Sequence, residues 1–430
     1  MKIAMIIGSG ASINYFPGTA QITEELKKWD VYLEPPLDNP KNWLIAKTLD
    51  SKGLPYYKAV FEAVKSYYEN PKAYLNFERL IHISLQLDSI TKSEKAVDEF
   101  RPLLKPFIKF KDEFQKFDQP HINSMIADDA STYILNWLSK KYTPNLFDQL
   151  RNSCFNRFLK RLSGLNYGIH LFSLNYDTQP LYSDLAFETG FRSVPGSKFQ
   201  IFSPLEFLEG NYKHLYCQIH GSTLFGYSLT PLEGAPPGKL VRYNEVGDAI
   251  DSRNAIRKSK RSKQDGFPST SDCMITGLRK ADDILSEPYA SYLYQLFQEL
   301  ISTNNWVLIG YGGRDPHINE CLRRARHVWK QRAKKLKILW IGYASDNAFK
   351  YGEIGLRVWL PISEECYENM VATLPEDCID QIREEAKNIP IKRDEVQLIK
   401  TKSCDALISF RGTEETLKSH TNQIIEFLNN

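Results

Sequence analysis

Apolar and polar positions alternate in blocks along this chain. Lys2 to Ile7 is apolar at every position after the first and runs straight into Gly8-Ser9-Gly10-Ala11-Ser12, the pattern of a short buried strand ending in a glycine turn. Ile169 to Leu174 is again β-prone, and then gives way abruptly to Asn175-Tyr176-Asp177. The same transition recurs where His214 to Ile219 meets His220-Gly221. Further strands are predicted at Cys273–Thr276, Trp306–Gly310, Leu336–Gly342 and Leu356–Leu360. Buried strands that each open into polar or glycine residues predict an α/β core whose site lies along the carboxyl ends of the strands.

From about Gln21 to Leu162 the period is helical instead. Tyr56–Tyr68, Tyr74–Leu87 and Thr132–Lys141 place apolar residues three and four apart, with Pro and Asn between the runs. This predicts a helical layer inserted after the first strand, with Phe77, Leu80 and Ile81 in its core. Pro288–Thr303 reads as an amphipathic helix. Asp315 with Pro316 behind it predicts an N-cap and first turn for a helix whose Arg323, Arg324, Arg326, Lys330, Arg332, Lys334 and Lys335 form a solvent face. After Pro361 the chain reads as polar and helical to its end, closing with Glu414–Leu428. Between Ser222 and Asp272 lies a stretch rich in Pro, Gly, Ser and charge, including a basic run from Arg253 to Lys263. It is read as a long solvated loop and a candidate gate, in preference to a nucleic-acid contact.

Composition narrows this picture only a little. The chain has 430 residues, 42% hydrophobic and 25% charged, in the globular range. A net charge of +3 gives no reason to expect a polyanionic partner. Seven cysteines without a C-x-x-C pair suit reduced thiols better than disulfides or zinc, and no H-x-x-x-H spacing suggests a metal centre. No apolar run reaches membrane-spanning length and no signal-peptide pattern opens the sequence, so a cytoplasmic protein without membrane contact is expected.

The strand ends define the candidate chemistry. Glycine turns allow close approach of a phosphate, an amide both donates and accepts, and an imidazole moves a proton near neutral pH. Those groups suit a dinucleotide whose glycosidic bond is to be broken. The same residues also have plain structural readings: Asn175 and Asp177 suit an Asx-turn or a helix cap, and a histidine at a strand end suits a satisfied core position. A serine hydrolase lacks its G-x-S-x-G elbow here.

Taken in order, Gly8-Ser9-Gly10-Ala11-Ser12, Ser173-Leu174-Asn175-Tyr176-Asp177, Ile219-His220-Gly221-Ser222, Ile275 to Asp283 and Leu308 to Asn319 resemble the sirtuin-like domains of bacterial antiphage defence systems. The resemblance spans residues 1 to about 345. It implies a Rossmann-like parallel sheet with a large helical insertion, about residues 19–165, and leaves residues 346–430 as an α-rich extension suited to assembly. It further implies that NAD+ is the substrate and that Asn175 and His220 are the essential pair. Gly8, Ser9, Gly10, Ala11 and Ser12 would line the phosphates, and Gly310, Tyr311 and Asp315 would stand by the second half of the nucleotide. Asp177 and Gly277 complete the expected binding set. Protein-deacylating sirtuins carry a four-cysteine zinc module after the His-Gly motif, but here only Cys273 stands between His220-Gly221 and Cys321, so no zinc is expected. Their Asp-Phe-Arg is also missing, since the chain reads Asn14-Tyr15-Phe16, which removes the case for acyl-lysine peptides. Defence-type relatives hydrolyse NAD+ and deplete the cell's cofactor. They imply a homo-oligomer held in check by a partner such as a HerA-like ATPase or an Argonaute. A sensor or assembly subunit that binds NAD+ or ADP-ribose without turnover is the alternative, and a nucleic-acid-binding effector is a third.

Overall fold

The computed structural model describes residues 1–29, 56–67, 75–87, 122–229, 238–261, 273–276, 284–343, 371–388, 395–429. The chain folds around a seven-stranded sheet. In sequence order its strands are β1 (Lys2–Ile7), β2 (Gly168–Ser173), β5 (His214–Gln218), β8 (Asn305–Ile309), β9 (Leu336–Ile341), β10 (Gln397–Lys400) and β11 (Cys404–Ser409). Their spatial order is β10-β11-β9-β8-β1-β2-β5, and every pairing is parallel except β10 with β11. The fold is therefore α/β with a mostly parallel sheet. A second sheet, ordered β3-β4-β7-β6, is antiparallel and formed by β3 (Phe191–Ser193), β4 (Phe199–Phe202), β6 (Phe225–Tyr227) and β7 (Leu240–Tyr243).

The helices are α1 (Thr19–Lys28), α2 (Tyr56–Val64), α3 (Phe77–Leu87), α4 (Ile122–Ser139), α5 (Pro144–Arg151), α6 (Cys154–Gly164), α7 (Pro204–Glu209), α8 (Val246–Arg261), α9 (Tyr289–Ser302), α10 (Pro316–Gln331), α11 (Glu376–Asn388) and α12 (Thr413–Asn429). Among the described residues, α1 to α6 are the α-helices between β1 and β2, and no strand interrupts them. Phe77, Leu80 and Ile81 are buried there, as their spacing predicts.

Both faces of the large sheet are covered, and this explains its nearly continuous apolar strands. Ile3, Met5 and Ile7 pack with Phe155, Phe158 and Leu159 of α6 and with Leu417, Ile424 and Leu428 of α12. The alternate residues Ala4 and Ile6 share the opposite layer with Leu296 of α9, Ile318 of α10 and the inserted helices. A period of two thus supplies two cores from a single strand.

Four expectations are corrected. The chain past Pro361, read as helical, contributes β10 and β11 to the large sheet, because Ala406 to Ile408 form a short buried run beside β9. Residues 222–272, read as a loop, include β6, β7 and α8. Arg253 is 1% exposed, and its guanidinium donates to Asn136 Oδ1 at 2.9 Å, Thr223 O at 3.1 Å and Ser139 Oγ at 3.2 Å. Burial pushes that guanidinium down to about 10, so it remains a cation at neutral pH, held by carbonyl, amide and hydroxyl oxygens. Cys273–Thr276 is not a strand: only Met274 bridges, antiparallel to Gly221. On α10, Arg323, Arg324 and Lys330 are exposed as expected, whereas Arg326 is half-buried and donates to Leu374 O. Leu356–Leu360 lies outside the described residues. No helix among the described residues is long and apolar enough to cross a membrane.

Candidate functional site

Register sets the site. Ile7 stands opposite both Ser173 and Ile309, Ser173 opposite Gln218, and Ile309 opposite Ile341. The strands therefore end level. Each following residue keeps the ladder for one more step: Gly8 N donates to Ile309 O at 2.9 Å, Leu174 N to Ile7 O at 2.9 Å, and Ile219 N to Ser173 O at 2.9 Å. Beyond that row the backbone of Gly8, Asn175, His220 and Gly310 emerges along one edge.

The chain passes from β1 outward to β2 and β5, then returns to place β8 on the other side of β1. A topological switch point consequently lies between β1 and β8, where ligands of open parallel sheets bind. The glycines there have a packing reason of their own. A Cβ on Gly8 would lie 2.4 Å from Gly310 O, one on Gly10 would lie 2.8 Å from Gly310 Cα, and one on Gly310, whose φ is +61°, would lie 2.4 Å from Ala11 N. Only bare backbone permits the two turns to touch. Ser9–Ala11 is a single 3₁₀ turn, and α1 begins only at Thr19, so no α-helix follows the glycine turn directly. Ser9 is exposed, while Ala11 faces inward and belongs to the core beneath α6. Thr413, the first residue of α12, donates its hydroxyl to Gly10 O at 2.8 Å and ties the C-terminal helix to this turn.

One hydrogen-bonded cluster joins β1 to β2. Asn175 Nδ2 donates to Gly8 O at 3.0 Å and to Ser12 Oγ at 3.2 Å, and Ser12 Oγ donates in turn to Asp177 Oδ2 at 2.7 Å. Both amide hydrogens of Asn175 are thus engaged, and the carbonyl partner Gly8 O fixes which side-chain atom is nitrogen. The hydrogen bonds of the Asn175 side chain among the described residues both run through Nδ2 and none through Oδ1. Asp177 Oδ1 accepts from Gln179 N at 3.1 Å, an Asx-turn. Its backbone carbonyl accepts from Tyr216 Oη and from Gln218 Nε2, each at 3.0 Å. Burial raises the Asp177 carboxyl above the usual range, against the opposing pull of the Ser12 hydroxyl.

A second cluster forms where β5 ends near the start of α10. His220 is 2% exposed, and its backbone carbonyl accepts from Ile275 N at 2.8 Å. Gly221 turns the chain away with φ +107°. The His220 Nε2 atom lies 3.1 Å from His317 Nε2 and 3.7 Å from Asp315 Oδ1, and the two rings meet edge-on with centroids 5.2 Å apart. Asp315 stands at the N-cap of α10 as expected, yet its side chain makes no capping hydrogen bond. Tyr311 is directed elsewhere: its hydroxyl donates to Asn319 Oδ1 at 2.7 Å, and Asn319 Nδ2 donates to Gly313 O at 2.6 Å. Burial keeps the Tyr311 hydroxyl protonated.

The structure therefore gathers Gly8, Gly10, Ser12, Asn175 and Asp177 into one polar group, sets His220 with Asp315 in another, and joins the two turns through Gly310. Gly277 lies outside the described residues. His317 was missed in the sequence, although the run Asp315-Pro316-His317 places it in the first turn of the helix that Asp315 opens. Thr413 carried no sequence signal, because nothing in a polar C-terminal stretch indicates a return to the first turn. A comparison with protein-family models finds no match, and none of the curated proteins matches the chain.

Proposed function

We propose that this chain is an NAD+ glycohydrolase, releasing nicotinamide and ADP-ribose. The observation that supports it most is the meeting of two glycine turns at the switch point, with Asn175 and His220 at the ends of the two neighbouring strands on the same edge. Dinucleotide phosphates suit a site of bare backbone at a switch point.

The reaction asks little of acid catalysis. Nicotinamide leaves as a neutral base from a cationic pyridinium, so the departing group needs no proton. Water supplies the new bond at the anomeric carbon and loses one proton, and a single base suffices to take it. His220 is that base, and the Asp315 carboxylate at 3.7 Å favours the imidazolium that forms. Because both hydrogens of the Asn175 amide are engaged, the residue acts through Oδ1, accepting a hydrogen bond from a ribose hydroxyl or from the attacking water. Gly8 and Gly10 leave room for the phosphates beside the turn, where Ser9 is exposed, and Ser12 holds the Asn175 amide in place. By its resemblance to defence domains, the enzyme would deplete NAD+ during phage infection as a homo-oligomer restrained by a protein partner.

Engagement of the Asn175 amide within the fold also suits the reading of a module that binds NAD+ or ADP-ribose without turnover. Product chromatography after incubation with NAD+, for the chain alone and together with the product of its neighbouring gene, separates the two. Hydrolysis yields nicotinamide and ADP-ribose in equal amounts, and Asn175→Ala lowers the rate by roughly 10²-fold or more. Tight NAD+ binding with no nicotinamide under either condition would favour the sensor.

A further inference from the structure

We propose that His220, Asp315 and His317 form a binding site for one divalent transition-metal ion of the zinc class. Their ligand atoms, one from each side chain, all lie within 4.8 Å of one another. The His220 and His317 Nε2 atoms are 3.1 Å apart, and ligands at about 2.0–2.1 Å from a tetrahedral ion stand roughly 3.3 Å from each other. The Asp315 oxygen is 3.7 Å from the His220 nitrogen, a few tenths of an ångström beyond that spacing, and lies within 4.8 Å of the His317 nitrogen, so rotation of the Asp315 carboxylate completes the third position.

The ligands stand on firm supports. His220 is fixed by the bond from Ile275 N to its carbonyl and by the turn at Gly221. Asp315 and His317 flank Pro316 at the start of α10, where proline presets the backbone. The 60° angle between the rings sets them converging and unstacked, which suits two imidazoles sharing one ion. Two imidazole nitrogens and one carboxylate favour zinc, cobalt or nickel over magnesium or calcium, which prefer oxygen. Three protein ligands leave a fourth position for water or another small donor.

The same lone pair of His220 Nε2 cannot hold a metal and accept a proton. On the hydrolase reading above, and resting on it, an occupied site switches hydrolysis off and a chelator restores it. The ion's charge also opposes the positive charge that develops on the ribose.

The test is calorimetric titration of the metal-free, full-length chain with zinc(II) alone, followed by cobalt(II) and its visible spectrum. One equivalent is expected to bind, with cobalt showing the bands of a four-coordinate centre. His317→Ala and Asp315→Ala should each weaken binding by roughly tenfold or more. His317→Cys, which keeps a ligand at that position, should retain it, and far-UV circular dichroism checks that each variant is folded. No saturable binding to the wild-type chain, or unchanged binding in the folded alanine variants, overturns the proposal. Since the readout is binding, a chain that takes up zinc but never cleaves NAD+ keeps the metal site and loses only the hydrolase reading.

Discussion

Two polar clusters stand on one sheet edge, and they treat their hydrogen-bonding groups differently. In the cluster around Asn175, the amide hydrogens, the Ser12 hydroxyl and both carboxylate oxygens of Asp177 are all matched within the fold. In the cluster around His220, two imidazole nitrogens and a carboxylate oxygen converge on one another from different elements. A matched network holds geometry. Convergent titratable groups bind a proton or a cation. The comparison assigns the first cluster to holding Asn175 Oδ1 and the turn in place for the substrate and the second to moving the proton, and that division can be broken by experiment.

The largest effect is expected where the two turns touch. Gly310→Ala adds a Cβ 2.4 Å from Ala11 N at a backbone φ of +61°, so it should cost roughly 4 kcal/mol or more in stability. Gly312→Ala, with nothing within 4 Å of its added Cβ, should stay within about 0.5 kcal/mol. Urea midpoints of the two variants decide it, and equal values would mean that the glycine contact does not constrain the fold.

Smaller effects should separate the clusters. Ser12→Ala leaves a buried carboxylate oxygen and an amide hydrogen without their partner, at a cost of roughly 1–3 kcal/mol. His317→Ala, on a partly exposed side chain, should cost less than roughly 1 kcal/mol. If His317→Ala proves the more destabilising, the histidine cluster is scaffold and the assignment is reversed.

The subtlest test is pH. The Asp177 carboxyl is raised in the folded chain by burial, so the native state holds its proton more tightly than the unfolded state. Its contribution to stability is full below the unfolded pKa and is lost as pH rises through the folded value. The difference in unfolding free energy between wild type and Asp177→Asn should therefore shift in favour of the variant from acid towards neutral pH. A pH-independent difference would show that Asp177 titrates alike in both states.

Much of this architecture was legible in the sequence, for a physical reason. Strands of a sheet covered on both faces must be apolar throughout, so β1, β2, β5, β8 and β9 announced themselves together with the polar residues that end them. The small sheet did not. Its strands have three or four residues, too few for a period to show. Helix α8 was hidden because the fully buried positions among its described side chains are Ala249, Ser252 and Arg253, with Ile256 partly buried, so they form no continuous hydrophobic stripe. β11 was lost as a single apolar run within a polar tail. At the site, spacing rules look for ligands along one element, whereas His220 and the pair Asp315 and His317 come from different elements. Only the fold brings them within reach.

The central claim is that His220 does chemistry on an NAD+ molecule held mainly by other residues. NAD+ affinity and nicotinamide release, measured on the same preparation of His220→Ala, test it most directly. The account predicts affinity within about threefold of wild type and a rate lower by roughly 10²–10⁴. Release at the wild-type rate, or a loss of rate matched by an equal loss of affinity, would contradict it.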